Sequence, residues 1–175
     1  MLSKDVHGDP SSERLVAVPA LTVPELRALA RELRADRDLW EPLVRATPEE
    51  RHYELLRHDE RVMAWVISWM DDHDTGFHDH DRSAGAVAVA RGRIREERLR
   101  VGGPPVSRVL SAGDVLDFEA SDIHRVTHEA GAPAVTIHVY SPPLRTMGSY
   151  VVEPSGALRR ESLPWESELR PLTPA

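Results

Sequence analysis

Two histidines one residue apart, His78 and His80, stand in the densest chemical stretch of the chain, Asp71-Asp72-His73-Asp74-Thr75-Gly76-Phe77-His78-Asp79-His80-Asp81. On a strand the period of two sends both imidazoles to one face, where they can grip a single ion, and turns Asp79 away. A third ligand is offered by Asp122-Ile123-His124-Arg125-Val126, which a reversing turn at Gly113-Asp114 can return to the same sheet. A His-x-His pair among aspartates also suits a polar turn, and spacing alone does not choose between the two. A third group lies in Val135-Thr136-Ile137-His138-Val139-Tyr140, where Thr136, His138 and Tyr140 share one strand face. A histidine between two hydroxyls can form a hydrogen-bonded relay that fixes its tautomer and aims the tyrosine; a single satisfied core histidine is the plainer alternative.

These groups need a scaffold, and the hydrophobic pattern outlines one. Residues 1–19 are polar and read as a flexible arm. Thr22 as a cap, Pro24 in a first turn, and Leu26, Leu29, Ala30 and Leu33 at helical spacing predict a helix from Thr22 to about Leu39. Thr47, Pro48 and Glu50 form a second capping signature, predicting a helix to about Arg57. From position 60 the texture changes to short strands punctuated by glycine: 62–69, 84–90, 93–99, 106–110, 115–118, 125–129, 134–140 and 150–153. That pattern indicates an all-β sandwich or barrel behind N-terminal helices. No internal linker divides it, so residues 20–175 read as one domain, with a barrel over about 60–155 and an extended strap from 158 to the C-terminus.

Composition narrows the chemistry. The 175 residues hold 22 Lys plus Arg, 29 Asp plus Glu, nine His and no Cys, giving a net charge of -7. Without cysteine there are no disulfides, no thiolate nucleophile and no sulfur-ligated zinc or iron–sulfur cluster, so any metal must sit on His, Asp or Glu. Basic residues scattered among carboxylates argue against nucleic acid as a partner. No apolar run is long enough for a membrane span, and the polar start lacks the apolar block of a secretory signal, so a cytoplasmic location is expected.

Taken in order, Gly76-Phe77-His78-Asp79-His80, Gly92-Arg93-Ile94, His124-Arg125-Val126 and His138-Val139-Tyr140-Ser141-Pro142-Pro143 resemble the cysteine dioxygenase type I family over roughly residues 50–150. The resemblance implies a cupin double-stranded β-helix, or jelly-roll, barrel holding ferrous iron, Fe(2+), on His78, His80 and His124. It assigns Thr136, His138 and Tyr140 to the family's Ser-His-Tyr relay, with threonine in place of serine, and a cis peptide to Ser141-Pro142. Cupins outside this branch often add a glutamate ligand just after the histidine pair; Asp81 to Gly85 contains none. Animal members crosslink the tyrosine to a cysteine whose place is taken here by Gly85, as in bacterial relatives.

The implied reaction is oxidation of a thiol by dioxygen to a sulfinate, with cysteine as substrate. One departure bears on that choice. Cysteine-selective members hold the substrate carboxylate with the arginine of a Tyr-x-Arg-Asn pattern, whereas this chain has Arg51-His52-Tyr53-Glu54, so Arg51 and Tyr53 have exchanged places or the clamp is absent. Arg51, Arg82 and Arg125 can each bind a carboxylate. The alternatives are therefore 3-mercaptopropionate or another small thiol carboxylate, and a non-catalytic cupin that binds a small metabolite. Trp69, Phe77 and Met147 could exclude water, though each also suits core packing. His7, His52, His58 and His73 read as exposed or locally bonded groups, and His128 as at most a neighbour of the site. A monomer and a homodimer are both compatible with the pattern.

Overall fold

A computed structural model describes residues 18–153 and 155–173; the predicted N-terminal arm lies almost wholly outside them. Helix α1 (Val23–Ala35) starts where the sequence places it. Thr22 donates its backbone N–H and its hydroxyl to the Glu25 carboxylate at 2.7 and 2.6 Å, satisfying a donor that the first turn would leave open. The chain breaks at Asp36, whose carboxylate accepts from the Leu39 N–H at 3.3 Å to cap the short α2 (Arg37–Trp40). A 3-10 turn, Glu41–Leu43, follows. No helix among the described residues is long and apolar enough to cross a membrane.

The predicted second helix does not form. Residues 52–58 are strand β1 (His52–His58), paired antiparallel with β2 (Met63–Trp69) through His52↔Ser68 and Tyr53↔Ile67. The Thr47 hydroxyl donates to the Glu50 carbonyl at 2.8 Å and closes a bend instead of capping a helix. Ladder bonds to β2 outweigh the local capping preference. The change matters for function: at a strand's period of two, Arg51 and Tyr53 share a face, whereas on a helix they would point to opposite sides.

Strands β3 (Phe77–Asp79), β4 (Ala84–Arg91), β5 (Arg93–Arg100), β6 (Gly103–Ser111), β7 (Val115–Phe118), β8 (His124–His128), β9 (Ala134–Ser141), β10 (Thr146–Val152) and β11 (Leu158–Pro164) complete two sheets, ordered β1-β2-β9-β4-β7 and β11-β10-β3-β8-β5-β6. This is the expected all-β, double-stranded β-helix arrangement. The strap's first half is not free chain but β11, hydrogen-bonded to β10. Gly92, at φ +63, makes the β4–β5 turn; a Cβ there would lie 2.8 Å from the Ala134 Cα.

Strand β9 is central in its sheet and buried along its length. Its odd positions Val135, Ile137 and Val139 meet Leu26 and Ala30 of α1 on the outer face, where Ala64, Ala86 and Ala88 let the helix approach closely. Its even positions Thr136, His138 and Tyr140 face the barrel interior with Trp69, Val87 and Phe118. Covering both faces of this sheet explains its near-continuous apolar strands.

Asp79, between the two histidines, does turn away from them. It accepts from Arg160 Nε and Nη2 at 2.8 and 2.9 Å and from the Tyr150 hydroxyl at 2.6 Å, tying β3 to β10 and β11. Burial alone would raise its pKa, but the bonds from Arg160 and Tyr150 outweigh that and hold it well below the usual carboxylate range. A depressed folded-state pKa contributes stability above the unfolded value, about 3.9, and loses it as pH falls through the folded value. Asp79→Asn is therefore expected to lower stability at pH 7 by about 2 kcal/mol, with the deficit shrinking as pH falls below about 4 and clearly smaller at about pH 2. Urea melts at both pH values check this, and an equal deficit at both would refute it.

Candidate metal centre

His78 and His124 are cross-strand partners of β3 and β8, and His80 follows β3 directly. That geometry collects three imidazoles from two regions, and all three are buried. Ring centroids lie 4.9 Å apart for His78–His80, 4.6 Å for His78–His124 and 5.2 Å for His80–His124. One nitrogen from each falls within 4.8 Å of the other two, close enough to share a metal ion.

The free nitrogens fit a cation. His78 Nδ1 donates to the Gly76 carbonyl at 3.0 Å, which leaves its Nε2 lone pair available. His124 Nδ1 meets Glu96 Oε1 at 3.1 Å, and its Nε2 has no partner among the described residues; nor has His80 Nδ1. Such orphaned buried atoms are costly unless something fills the gap. Burial, then the neighbouring imidazoles, push His78 and His80 well below the ordinary histidine pKa, keeping both neutral as metal ligation requires.

Glu96 was not anticipated from the sequence. It lies on β5 in a charged run but is only 2% exposed, because period two puts it on the same inward face as Ile94. Besides His124 it accepts from Arg108 Nε at 2.5 Å and Arg98 Nη2 at 3.0 Å. Burial acting alone would raise its pKa, yet the bonds from His124, Arg108 and Arg98 bring it down to about 2, so it stays an anion. A carboxylate behind a ligand imidazole fixes its tautomer and strengthens its donation. Glu96→Ala is expected to weaken metal binding by about 10–100-fold, read by competition with a chromophoric chelator; unchanged affinity would remove Glu96 from this role.

Phe118 is the second unanticipated neighbour. Its ring stacks on His80 at 4.4 Å and lies 6.1 Å from Tyr140. Gly85 pairs with both Phe118 and Tyr140, and a Cβ at Gly85 would sit 2.3 Å from the Phe118 ring. The phenyl group thus fills the space beside the tyrosine that a side chain at position 85 would need.

The even face of β9 forms a continuous hydrogen-bonded chain. Trp69 Nε1 donates to Thr136 Oγ1 at 2.8 Å, Thr136 Oγ1 meets His138 Nε2 at 2.8 Å, and His138 Nδ1 meets the Tyr140 hydroxyl at 3.0 Å. Trp69 donates to the threonine oxygen, and the hydroxyl has no acceptor other than His138 Nε2 among the described residues, so its hydrogen is assigned to that nitrogen. His138 Nδ1–H then donates to Tyr140, whose own proton is left for the cavity. Burial lowers His138 to about 3 and raises Tyr140 above its ordinary value, so the imidazole is neutral and the phenol keeps its proton. Ser141-Pro142 is cis.

A cavity opens beside the histidines, lined by Tyr140, His138, Trp69, Ile67, Leu144 and Met147, and also by Arg51, Tyr53, Trp65 and Trp165. Arg51 is buried, with its guanidinium carbon 5.3 Å from the Trp69 ring centre. Its charge is felt at His78, His138 and Tyr140. Tyr53 packs edge-on against Trp65 with centroids 5.8 Å apart, and its hydroxyl donates to the Glu166 carbonyl at 3.4 Å. Trp69 and Met147 reach the cavity, whereas Phe77 does not line it. Arg82 is exposed, and Arg125 is engaged by Asp74 and Glu97. His73, read as exposed or locally bonded, is buried and locally bonded: its Nδ1 accepts from the Met70 N–H at 3.0 Å and its Nε2 donates to the Pro48 carbonyl at 3.2 Å. His128 bonds Asp71 and the Ala132 carbonyl, outside the cavity lining.

The sequence profile described as cysteine dioxygenase type I matches residues 12–152. Among solved structures, the protein TT1209 from Thermus thermophilus is 19% identical with a TM-score of 0.53, covering 59% of this chain and 93% of its own. An uncharacterized conserved protein with a double-stranded β-helix domain from Klebsiella pneumoniae is 16% identical, with a TM-score of 0.52 over 58% of this chain and 80% of its own. A cupin superfamily protein from Desulfitobacterium hafniense is 14% identical, with a TM-score of 0.50 over 59% and 87%. At these identities the structures show a shared cupin fold and nothing finer.

Proposed function

We propose, from the premise that the chain belongs to the cysteine dioxygenase type I family, that it is an Fe(2+)-dependent thiol dioxygenase converting cysteine and dioxygen to cysteine sulfinate. The observation that carries the proposal is the convergence, on one cavity, of three buried imidazoles with the relay ending at Tyr140 and with the cationic Arg51. His78, His80 and His124 would hold the metal, and the iron would supply Lewis-acid and redox chemistry for the reaction of a thiol with dioxygen.

The remaining work falls to this chain's own side chains. Overall, RSH plus dioxygen gives RSO2H, so atoms balance without a further reductant. Tyr140, oriented by His138 and Thr136, offers its hydroxyl proton as a hydrogen bond to sulfur or oxygen as charge develops there. Arg51 meets the substrate carboxylate and fixes its approach. Trp69, Ile67, Leu144 and Met147 keep bulk water out, which strengthens both interactions.

A second reading, 3-mercaptopropionate or a related thiol carboxylate, is favoured by one observation: Tyr53 stands where cysteine-selective members carry arginine, and Arg51 enters from the position two residues earlier. A cytoplasmic setting suits either thiol. Oxygen uptake by iron-loaded protein across cysteine, 3-mercaptopropionate and cysteamine tests the proposal. Thiol-dependent uptake with a sulfinate product is the expected result, and none with any thiol would leave a non-catalytic cupin.

A further inference from the structure

In the second half of the C-terminal strap, Trp165, Ser167, Glu168 and Leu169 line the same cavity, and the segment touches Arg51 in three ways. The Leu169 carbonyl accepts from Arg51 Nη2. Glu168 Oε1 accepts from the Arg51 backbone N–H at 3.3 Å and lies 3.5 Å from Nη2. Trp165 anchors the start of the segment on Trp65, with centroids 5.6 Å apart. Under this cover the Arg51 side chain is only 5% exposed, and its Nε and Nη1 have no hydrogen-bond partner among the described residues.

We infer that the strap is the specificity element of the site: Glu168 and the Leu169 carbonyl hold one nitrogen of Arg51 and leave its other donors to take the carboxylate of a thiol substrate. The inference rests on the dioxygenase reading and adds to it the element that selects carboxylated thiols over uncharged ones. Glu168 does not spend its charge on Arg51 alone. Glu168 is shared between Arg51 and Arg170, whose Nε and Nη2 donate to Oε2 at 2.9 and 2.6 Å. Covered by the strap, an Arg51–carboxylate pair sits in a lower dielectric than water provides, so it is stronger and more selective than an open pair. A strap that swings away exposes Arg51 and forfeits that advantage.

The test compares anaerobic binding of 3-mercaptopropionate and of 2-mercaptoethanol, which lacks the carboxylate, to iron-loaded protein by calorimetry. The unaltered protein is expected to prefer 3-mercaptopropionate. Glu168→Ala is expected to cut that preference about tenfold, or 1.4 kcal/mol. Glu168→Gln keeps an oxygen that can accept from the Arg51 N–H and should recover part of the preference. In an Arg51→Ala background, Glu168→Ala should change it no further. Equal loss for both thiols, an unmoved preference, or a preference that rises would overturn the inference, the last by making Glu168 a competitor of the substrate. Binding of neither thiol by the unaltered protein would instead overturn the dioxygenase reading, and the inference with it.

Discussion

His124→Ala should yield a folded protein that retains essentially no iron after desalting and shows only background thiol-dependent oxygen uptake. The reason is positional as well as chemical. His124 is the one candidate ligand from β8, far along the chain from the His78 and His80 pair, and it closes the triad because β8 pairs with β3 at His78↔His124. Without it, two imidazoles form a weak and open chelate. Loss of the supporting carboxylate alone is expected to weaken binding by about 10–100-fold, and loss of the ligand itself must exceed that. Stability should survive, since Glu96 keeps its bonds from Arg98 and Arg108 when His124 is gone. Metal analysis alongside a thermal melt separates the outcomes: normal iron with a normal melt would refute the assignment of His124, and a collapsed melt would move the question to His124→Gln, which preserves more of the packing. Iron retained by a folded His124→Gln would count equally against the assignment.

What the sequence made legible follows from short-range periodicity. Thr22 and Glu25 mark the start of α1 because a capping box is complete within four residues. The alternation of Thr136, His138 and Tyr140 with Val135, Ile137 and Val139 foretold a strand with one polar and one apolar face, and the structure lines up those three polar side chains at 2.8 and 3.0 Å. What stayed hidden depends on distant partners. The capping signature at Thr47 reads the same whether or not β2 waits to pair with residues 52–58, and only the sheet reveals that β1 wins. Glu96 sits in Arg95-Glu96-Glu97-Arg98, which looks like a solvated charge run; its register inside the barrel, opposite Arg108, turns one of the four into a buried partner of His124. The strap's hold on Arg51 spans 118 residues of sequence, and no local pattern announces it.

Tyr140→Phe is expected to keep iron but lower kcat about 100-fold, in the range seen when one preorganised hydrogen-bond donor is removed from a developing charge. The donor direction makes this prediction specific. Trp69 donates to Thr136, and with the Thr136 hydroxyl assigned to His138 Nε2 and His138 Nδ1–H to the phenol oxygen, Tyr140 is an acceptor from the relay and a donor to the cavity. Phenylalanine removes that donor while leaving the ring that faces His80 at 5.1 Å in place, so thiol binding should change far less than turnover. Thr136→Val acts one step further back: it deprives His138 of its fixed hydrogen bond without touching the cavity, and should lower kcat by less than Tyr140→Phe does. The pH profile offers a separate reading, because His138 held near 3 and a phenol raised by burial leave neither group titrating between pH 6 and 9. A wild-type kcat that is flat across that interval, together with a reduced but equally flat kcat for Tyr140→Phe, would support a tyrosine that works as a hydrogen-bond donor. A limb of the wild-type profile that disappears in the variant would show instead that Tyr140 ionises during turnover, contrary to the burial that keeps its proton in place.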